Sequence, residues 1–221
     1  MTNEFTMPPG NTYLAGPPRQ VPGFAGLHRM AMLLLAERVP ADGRLLVLGA
    51  GGGLEIKAFA EAQPGWRFDG VDPSAEMLAL AAQTIKPWRD RVQLHHGDID
   101  SAPCEQFDGA TCLLTFHFIP HEQRLATLRK LHQRLKPAAP LIVAHLSLPA
   151  PEQARSRWLD RHLAFSATEE DNRKQAKHAM QTRLSILSPE EDENLLREAG
   201  FSDVSLFYAG FSFRGWVAWA A

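Results

Sequence analysis

Cysteine is scarce in this chain: Cys104 and Cys112 are the two present. That is too few for a disulfide framework or a four-cysteine zinc site, and no His/Cys/acid spacing recurs that would hold a metal. A reducing, cytoplasmic compartment is the simplest expectation. Long apolar runs are missing too. The longest candidate, residues 30–36, falls far short of the roughly 18 apolar residues of a membrane span, so no membrane partner is expected. A dominant charge is absent as well. Twenty-three Lys plus Arg stand against 25 Asp plus Glu, a formal charge of −2. That balance excludes a strongly basic nucleic-acid binder as the default reading and an acidic disordered tail protein. The start of the chain has neither the positive end nor the apolar stretch of a secretory leader, and Pro8, Pro9, Gly10, Gly16, Pro17 and Pro18 would interrupt one. It reads as an extended or loose arm. No fixed period repeats.

What remains is 221 residues with 45% hydrophobic side chains, enough for one domain with a full core. Short apolar runs alternate with helical patterns. Strands are expected over residues 44–49, 66–72, 91–96, 107–118 and 141–148. Helices are expected over 24–39, 54–62, 74–85 and 121–135, the last carrying Leu125, Leu128, Leu131 and Leu135 on one stripe. Five alternations argue for an α/β domain with a parallel sheet covered on both faces. After Pro149 the pattern changes. Residues 151–186 are helical, with seven Lys/Arg and five Asp/Glu, and read equally as a solvated helical pair or as a lid over a site. Ser188, Pro189 and Glu191 spell a capping box for a helix over 188–199, with Gly200 as its stop. Two strand-like runs, 203–208 and 211–219, then flank Ala209-Gly210 as an antiparallel hairpin. The expected organisation is a single unit: an N-terminal arm and lid helix over 1–40, a ligand-binding core over 41–148, a helical insertion over 149–186, and a terminal helix and hairpin over 187–221.

The most informative stretch is Leu45-Leu46-Val47-Leu48-Gly49-Ala50-Gly51-Gly52-Gly53. A strand running through glycines into a helix lets a ligand approach bare backbone, at the strand end where open α/β sheets bind their ligands. A dinucleotide fingerprint, G-x-G-x-x-G, fails because Leu54 occupies the sixth place, and no Gly-Lys-Ser/Thr follows to make a P-loop. Asp72 ends the second strand, 19 residues beyond Gly53. A carboxylate there accepts from both hydroxyls of a ribose; it reads equally as the N-cap of the next helix. Asp98, after the third strand, suits an exocyclic amine with Ile99 against a base, or simply a Gly-Asp turn.

Together these residues resemble the class I S-adenosylmethionine-dependent methyltransferases over about residues 25–148, with a family-like hairpin at 203–219. LLVLGAGGG is similar to the family's first motif, VDPSAEMLALA to its second, HHGDI to its third and FDGATCLLTFHFIP to its fourth. The resemblance implies a Rossmann-like α/β fold: a seven-stranded, mostly parallel sheet with helices on both faces, an antiparallel C-terminal hairpin and a small helical lid insertion. It implies S-adenosyl-L-methionine as cofactor, bound by Gly49, Ala50, Gly51, Gly53, Asp72, Pro73, Met77, Asp98, Ile99 and Thr115. It departs at Val47, where the family often carries an acid that orders the loop and the methionine amine; Glu55, at the start of the following helix, is a candidate to take over part of that role. Arg19, in the arm, is a candidate for the cofactor's carboxylate or a solvated cation.

Methyl transfer needs alignment first, and a base only where the acceptor carries a proton that must leave. His117, in the fourth motif, is the candidate catalytic base, ahead of His145; His95, His96 and His121 follow. Phe116 and Phe118 are core residues or a face for a cationic ligand. The leading expectation is a methyltransferase with a small-molecule acceptor. The alternatives are a tRNA or rRNA methyltransferase, which the balanced charge disfavours, a nicotinamide-dependent oxidoreductase, and a non-catalytic nucleotide-binding domain. The sequence leaves the oligomeric state open.

Overall fold

The computed structural model describes residues 10–166 and 169–221; the first nine residues of the arm, Pro8 and Pro9 included, lie outside them. The chain opens with α1 (Gly10–Gln20) and α2 (Phe24–Ala36). The helix α1 departs from the expected loose arm. Pro17 and Pro18 fall in its closing turns, and the Pro17 carbonyl accepts from Val21 N at 2.9 Å. Gly23, in the left-handed region at φ 66°, separates the two helices.

Five strands follow as expected: β1 (Arg44–Leu48), β2 (Arg67–Asp72), β3 (Val92–His96), β4 (Gly109–Leu113) and β5 (Pro140–Leu146). Between them run α3 (Leu54–Ala62), α4 (Ala75–Thr84) and α5 (His121–Gln133). The insertion is a pair, α6 (Glu152–Phe165) and α7 (Glu170–Arg183). Then come α8 (Pro189–Glu198), β6 (Phe201–Gly210) and β7 (Phe213–Ala220). The sheet order is β3-β2-β1-β4-β5-β7-β6. β1 to β5 pair in parallel, and β7 is antiparallel to both β5 and β6.

The apolar run in β1 is explained by burial on both faces. Leu45 and Val47 enter one core cluster with Leu27, Ala31 and Leu35 of α2 and Ile56 and Phe59 of α3. Leu46 and Leu48 enter the other with Leu128 and Leu131 of α5 and Leu196 of α8. The capping box holds at α8: Ser188 Oγ accepts from Glu191 N at 3.3 Å, and Ser188 N donates to Glu191 Oε2 at 2.7 Å.

Two boundaries differ from the sequence expectation. The fourth strand stops at Leu113 rather than 118, because Leu114 takes φ 58° and a 3-10 turn over Phe116–Phe118 follows. The hairpin turns at Phe211 and Ser212, not at Ala209-Gly210; Gly210 still pairs with Phe213, and Phe211 takes φ 47°.

A buried ion pair joins α5 to α8. Arg124 Nη1 lies 3.2 Å from Asp192 Oδ1, with side chains 1% and 3% exposed. Arg124 Nε also donates to the Ile119 carbonyl at 3.2 Å, and Nη2 donates to the Ser185 carbonyl. Removing one partner strands the other charge in a dry interior. Asp192→Ala is expected to lower unfolding stability by about 3–5 kcal/mol in urea titration, and a loss below about 1 kcal/mol would contradict a buried, mutually dependent pair.

Candidate active site

The parallel strands all end at one edge of the sheet, and the glycine loop lies there. Gly49 N and Ala50 N both donate to the Val71 carbonyl, at 2.8 and 2.9 Å, which folds the loop back across β2. Gly49, Gly51 and Gly53 have φ of 79°, 49° and 79°, values that a Cβ disfavours. Gly49 is also hemmed in, because a Cβ there would run into the Thr115 side chain. The protein's own packing therefore demands glycine at 49, beside any ligand.

Asp72 ties three strand ends together. Its Oδ2 accepts from Gly51 N at 2.8 Å and its Oδ1 from Ser74 N at 2.9 Å. Its backbone carbonyl accepts from Gly97 N at 3.0 Å. Burial pushes its pKa up, while the N–H groups of Ser74 and Gly51 and the nearby His96 pull it back. The N-cap reading of Asp72 is corrected: Ser74 caps α4, its Oγ accepting from Met77 N at 3.2 Å. Each Asp72 oxygen keeps a further lone pair, which is what two ribose hydroxyls would need.

The other expected residues surround this tie. Met77 is buried outside both apolar clusters. Pro73 is exposed, its carbonyl 2.9 Å from His96 Nε2. Ile99 is buried, and Asp98 is exposed, with Oδ1 accepting from Asp100 N at 2.9 Å to open a 3-10 turn over Ile99–Ser101. The Asp98 carboxylate thus serves the turn. Thr115 is half-buried at the end of β4, next to the strained Leu114, and its hydroxyl donates to the Leu113 carbonyl at 3.0 Å. Arg19 is exposed on α1.

His117 sits inside, not on the rim. It is 5% exposed, its Nδ1 accepts from Leu146 N at 3.4 Å, and its carbonyl accepts from Ser185 N at 2.9 Å. Burial, with His145, Arg124 and His162 nearby, holds its pKa well below the ordinary imidazole value. His145 Nε2 lies 3.1 Å from Asp192 Oδ1.

Sequence reasoning passed over two buried polar groups and named a third, Glu55, without foreseeing its burial. Arg124 precedes Leu128 and Leu131 at helical spacing, so a charge inside an apolar stripe was the available signal. His162 stands one residue before buried Leu163 on α6, a weaker sign. Glu55 sits four residues before buried Phe59 on α3 and is itself 6% exposed.

A family model described as a methyltransferase domain matches residues 46–141. This stretch holds the glycine loop, Asp72, Asp98 and Thr115. Over that stretch the chain is similar to a methyltransferase domain, which agrees with the resemblance carried by its glycine loop. Among its curated relatives is a carboxy-S-adenosyl-L-methionine synthase from Aeromonas salmonicida, 24% identical over 207 residues, covering 90% of this chain and 84% of that protein. The S-adenosylmethionine-dependent methyltransferase SibL superposes with a TM-score of 0.61 at 23% identity, over 88% of this chain and 56% of that one. An O-methyltransferase family 2 protein from Planctomyces limnophilus, solved with apigenin, gives a TM-score of 0.62 at 18% identity, over 88% of this chain and 62% of that one. These two solved proteins share the methyltransferase fold. S-adenosyl-L-methionine is the cofactor that this likeness implies, and the residues present fit it: left-handed glycines leave the loop without Cβ atoms, and Glu55 Oε1 is buried without a completed hydrogen bond among the described residues.

Burial gives the protein a pH-dependent stability. His28 and His162 are both pulled down to about 4 by desolvation. Folded, they stay neutral until about pH 4; unfolded, they take up protons below about pH 6.5. In that window the unfolded state binds more protons, so stability falls as pH falls. Glu55 runs the opposite way, so a variant comparison isolates the effect. The stability lost between pH 7 and pH 5 is expected to be about 2 kcal/mol smaller in His28→Leu than in the unmodified protein, measured by denaturant unfolding. Equal losses would show that His28 protonates freely when folded.

Proposed function

We propose that this enzyme transfers the methyl group of S-adenosylmethionine to a small-molecule acceptor, with the cofactor held by Gly49, Ala50, Gly51, Gly53, Asp72, Pro73, Met77, Asp98, Ile99 and Thr115. The observation that carries the acceptor class is an exposed aromatic wall at the same sheet edge. Leu146, which ends β5, pairs with Phe213, which begins β7, so the hairpin tip stands at this edge. There Phe211 and Phe165 are 42% and 41% exposed, with ring centroids 5.2 Å apart. Trp158 lies 6.4 Å from Phe211, with Arg161 over its face at 4.6 Å. Phe118, beyond β4, is also exposed.

Such a wall suits a compact acceptor with an apolar face better than a phosphate backbone. Two cations of the insertion are engaged within the protein, while Arg157, Arg161, Lys174 and Arg183 face solvent. Lys177 pairs with Asp160 at 2.6 Å, and Arg155 donates to the Ile186 carbonyl at 2.8 Å. The net charge of −2 speaks against the RNA reading, which needs a strong excess of clustered cations.

Bound at the loop, the cofactor supplies a methyl group on a sulfonium, whose transfer is an in-line displacement. The chain's part is alignment, which supplies roughly 7–11 kcal/mol in favourable cases. The backbone of residues 49–53 carries the amino-acid tail, and Asp72 accepts from the ribose hydroxyls. Met77 and Ile99 pack on the adenine, and Asp98 accepts from its exocyclic amine. Thr115 stands between tail and acceptor. Residues 149–186 shape the acceptor's side. Where the acceptor carries a proton, His117 takes it, in the neutral form that its lowered pKa maintains.

Asp72→Ala is expected to weaken S-adenosylmethionine binding at least about tenfold in calorimetry, since charged hydrogen bonds contribute about 1.5–3 kcal/mol each, while circular dichroism stays unchanged. Unaltered affinity would remove Asp72 from the site. With an acceptor that loses a proton, the acid limb of the pH–rate profile is expected below about pH 6.5 and disappears in His117→Ala; an identical profile makes His117 structural. A screen for S-adenosylhomocysteine release is expected to turn over aromatic metabolites and leave tRNA untouched. Turnover of tRNA alone would overturn the small-molecule reading.

A further inference from the structure

The loop-bearing edge holds one carboxyl group that the proposed function leaves idle. Glu55 lies in the first turn of α3, directly after Gly53. Its side chain turns under the loop toward Thr111 of β4, and Thr111 is in register with Val47 of β1. Two polar atoms face each other there without completing an aligned hydrogen bond: Glu55 Oε1 and Thr111 Oγ1 are both buried and unpartnered. Buried polar groups are ordinarily satisfied, so such a pair calls for an explanation.

Beyond Thr111, the described surroundings offer Glu55 no partner. Val47 is apolar and fully buried. From β4, the Cys112 thiol is held in its uncharged form by burial. From α2, His28 packs 6.3 Å from Phe59, one turn beyond Glu55, and is neutral down to about pH 4. Arg124, which influences Cys112, belongs with the α5 residues of the opposite cluster and is spent on Asp192. Among the described residues around it, Glu55 therefore meets no positive charge. Desolvation accordingly pushes its pKa up to about 8, and the carboxyl is protonated at neutral pH.

A carboxyl and a hydroxyl, neither with a completed hydrogen bond and both just under a ligand loop, offer oxygens that can accept from an ammonium group. We propose that Glu55 and Thr111 receive the α-ammonium of the S-adenosylmethionine tail, directly or through one bridging water, and that Glu55 gives up its proton as the tail arrives. This rests on the cofactor reading above and adds a charge event to it: the ammonium replaces the proton on the carboxyl, and the proton leaves to solvent. The acid is supplied from the helix because the strand position beside Thr111 is Val47. A carboxyl kept neutral in the free protein spares the fold a buried anion.

Titration calorimetry at pH 6.5 in buffers of differing ionisation enthalpy reads this directly. The unmodified protein is expected to release about one proton per S-adenosylmethionine bound. 5′-Deoxy-5′-methylthioadenosine, which has the nucleoside but no amino-acid tail, is expected to bind with no proton release. Glu55→Gln, which keeps the shape, is expected to bind S-adenosylmethionine about tenfold more weakly and also without release. Binding by the unmodified protein with no buffer dependence overturns the Glu55 assignment and leaves the cofactor site standing. Equal release by the unmodified protein and Glu55→Gln likewise assigns the proton elsewhere. No binding heat at all removes the site reading and this inference together. Should Glu55→Gln fail to fold, the two ligands on the unmodified protein still decide, since equal proton counts would contradict a tail-linked event.

Discussion

The hydrogen bond from Gly51 N to Asp72 is the interaction on which the site depends. It ties the loop after β1 to the end of β2, and the Asp72 carbonyl extends the tie to Gly97 beyond β3. A loop of left-handed glycines has no side chains to hold it and large conformational freedom to lose. A buried carboxylate that accepts two backbone N–H groups fixes it at modest cost in room. The same group keeps lone pairs free, so holding the loop and holding a ribose are compatible tasks for one side chain.

Around this tie the parallel strands end together at the loop-bearing edge. β1 is buried on both faces, so the strand feeding the loop is among the most enclosed in the chain. The antiparallel β7 brings the hairpin tip and its aromatic residues back to the edge where the parallel strands end. The buried polar groups, Glu55, His117, His145, His162 and the Arg124–Asp192 pair, lie just below that edge. Each carries a desolvation cost in the free protein. Local rules of folding yield in this way at functional surfaces more than elsewhere.

Much of the fold was legible because its signals are local. Apolar runs ending in glycine marked β1 and its loop, and Ser188 with Glu191 marked the start of α8. The carboxylate at the end of β2 was legible from its distance to the loop. What escaped depends on contacts distant in sequence. The early end of β4 follows from the Leu114 backbone, which no composition announces. The N-cap of α4 went to Ser74 because Asp72 was already engaged by Gly51. Nothing in the fourth-motif segment announced that Leu146 and Ser185 would enclose His117. Glu55 was named from its place after the loop, but only the packing of α2 and β4 around it makes it a buried acid.

The central claim is that one ligand spans the glycine loop and Asp72. A crystal structure of the protein with S-adenosylhomocysteine tests it most directly. The account predicts the ribose hydroxyls on the Asp72 carboxylate, the adenine between Met77 and Ile99, and the amino-acid tail over residues 49–53. Density for the ligand away from Asp72, with the loop still closed on Thr115 and nothing above it, would contradict it.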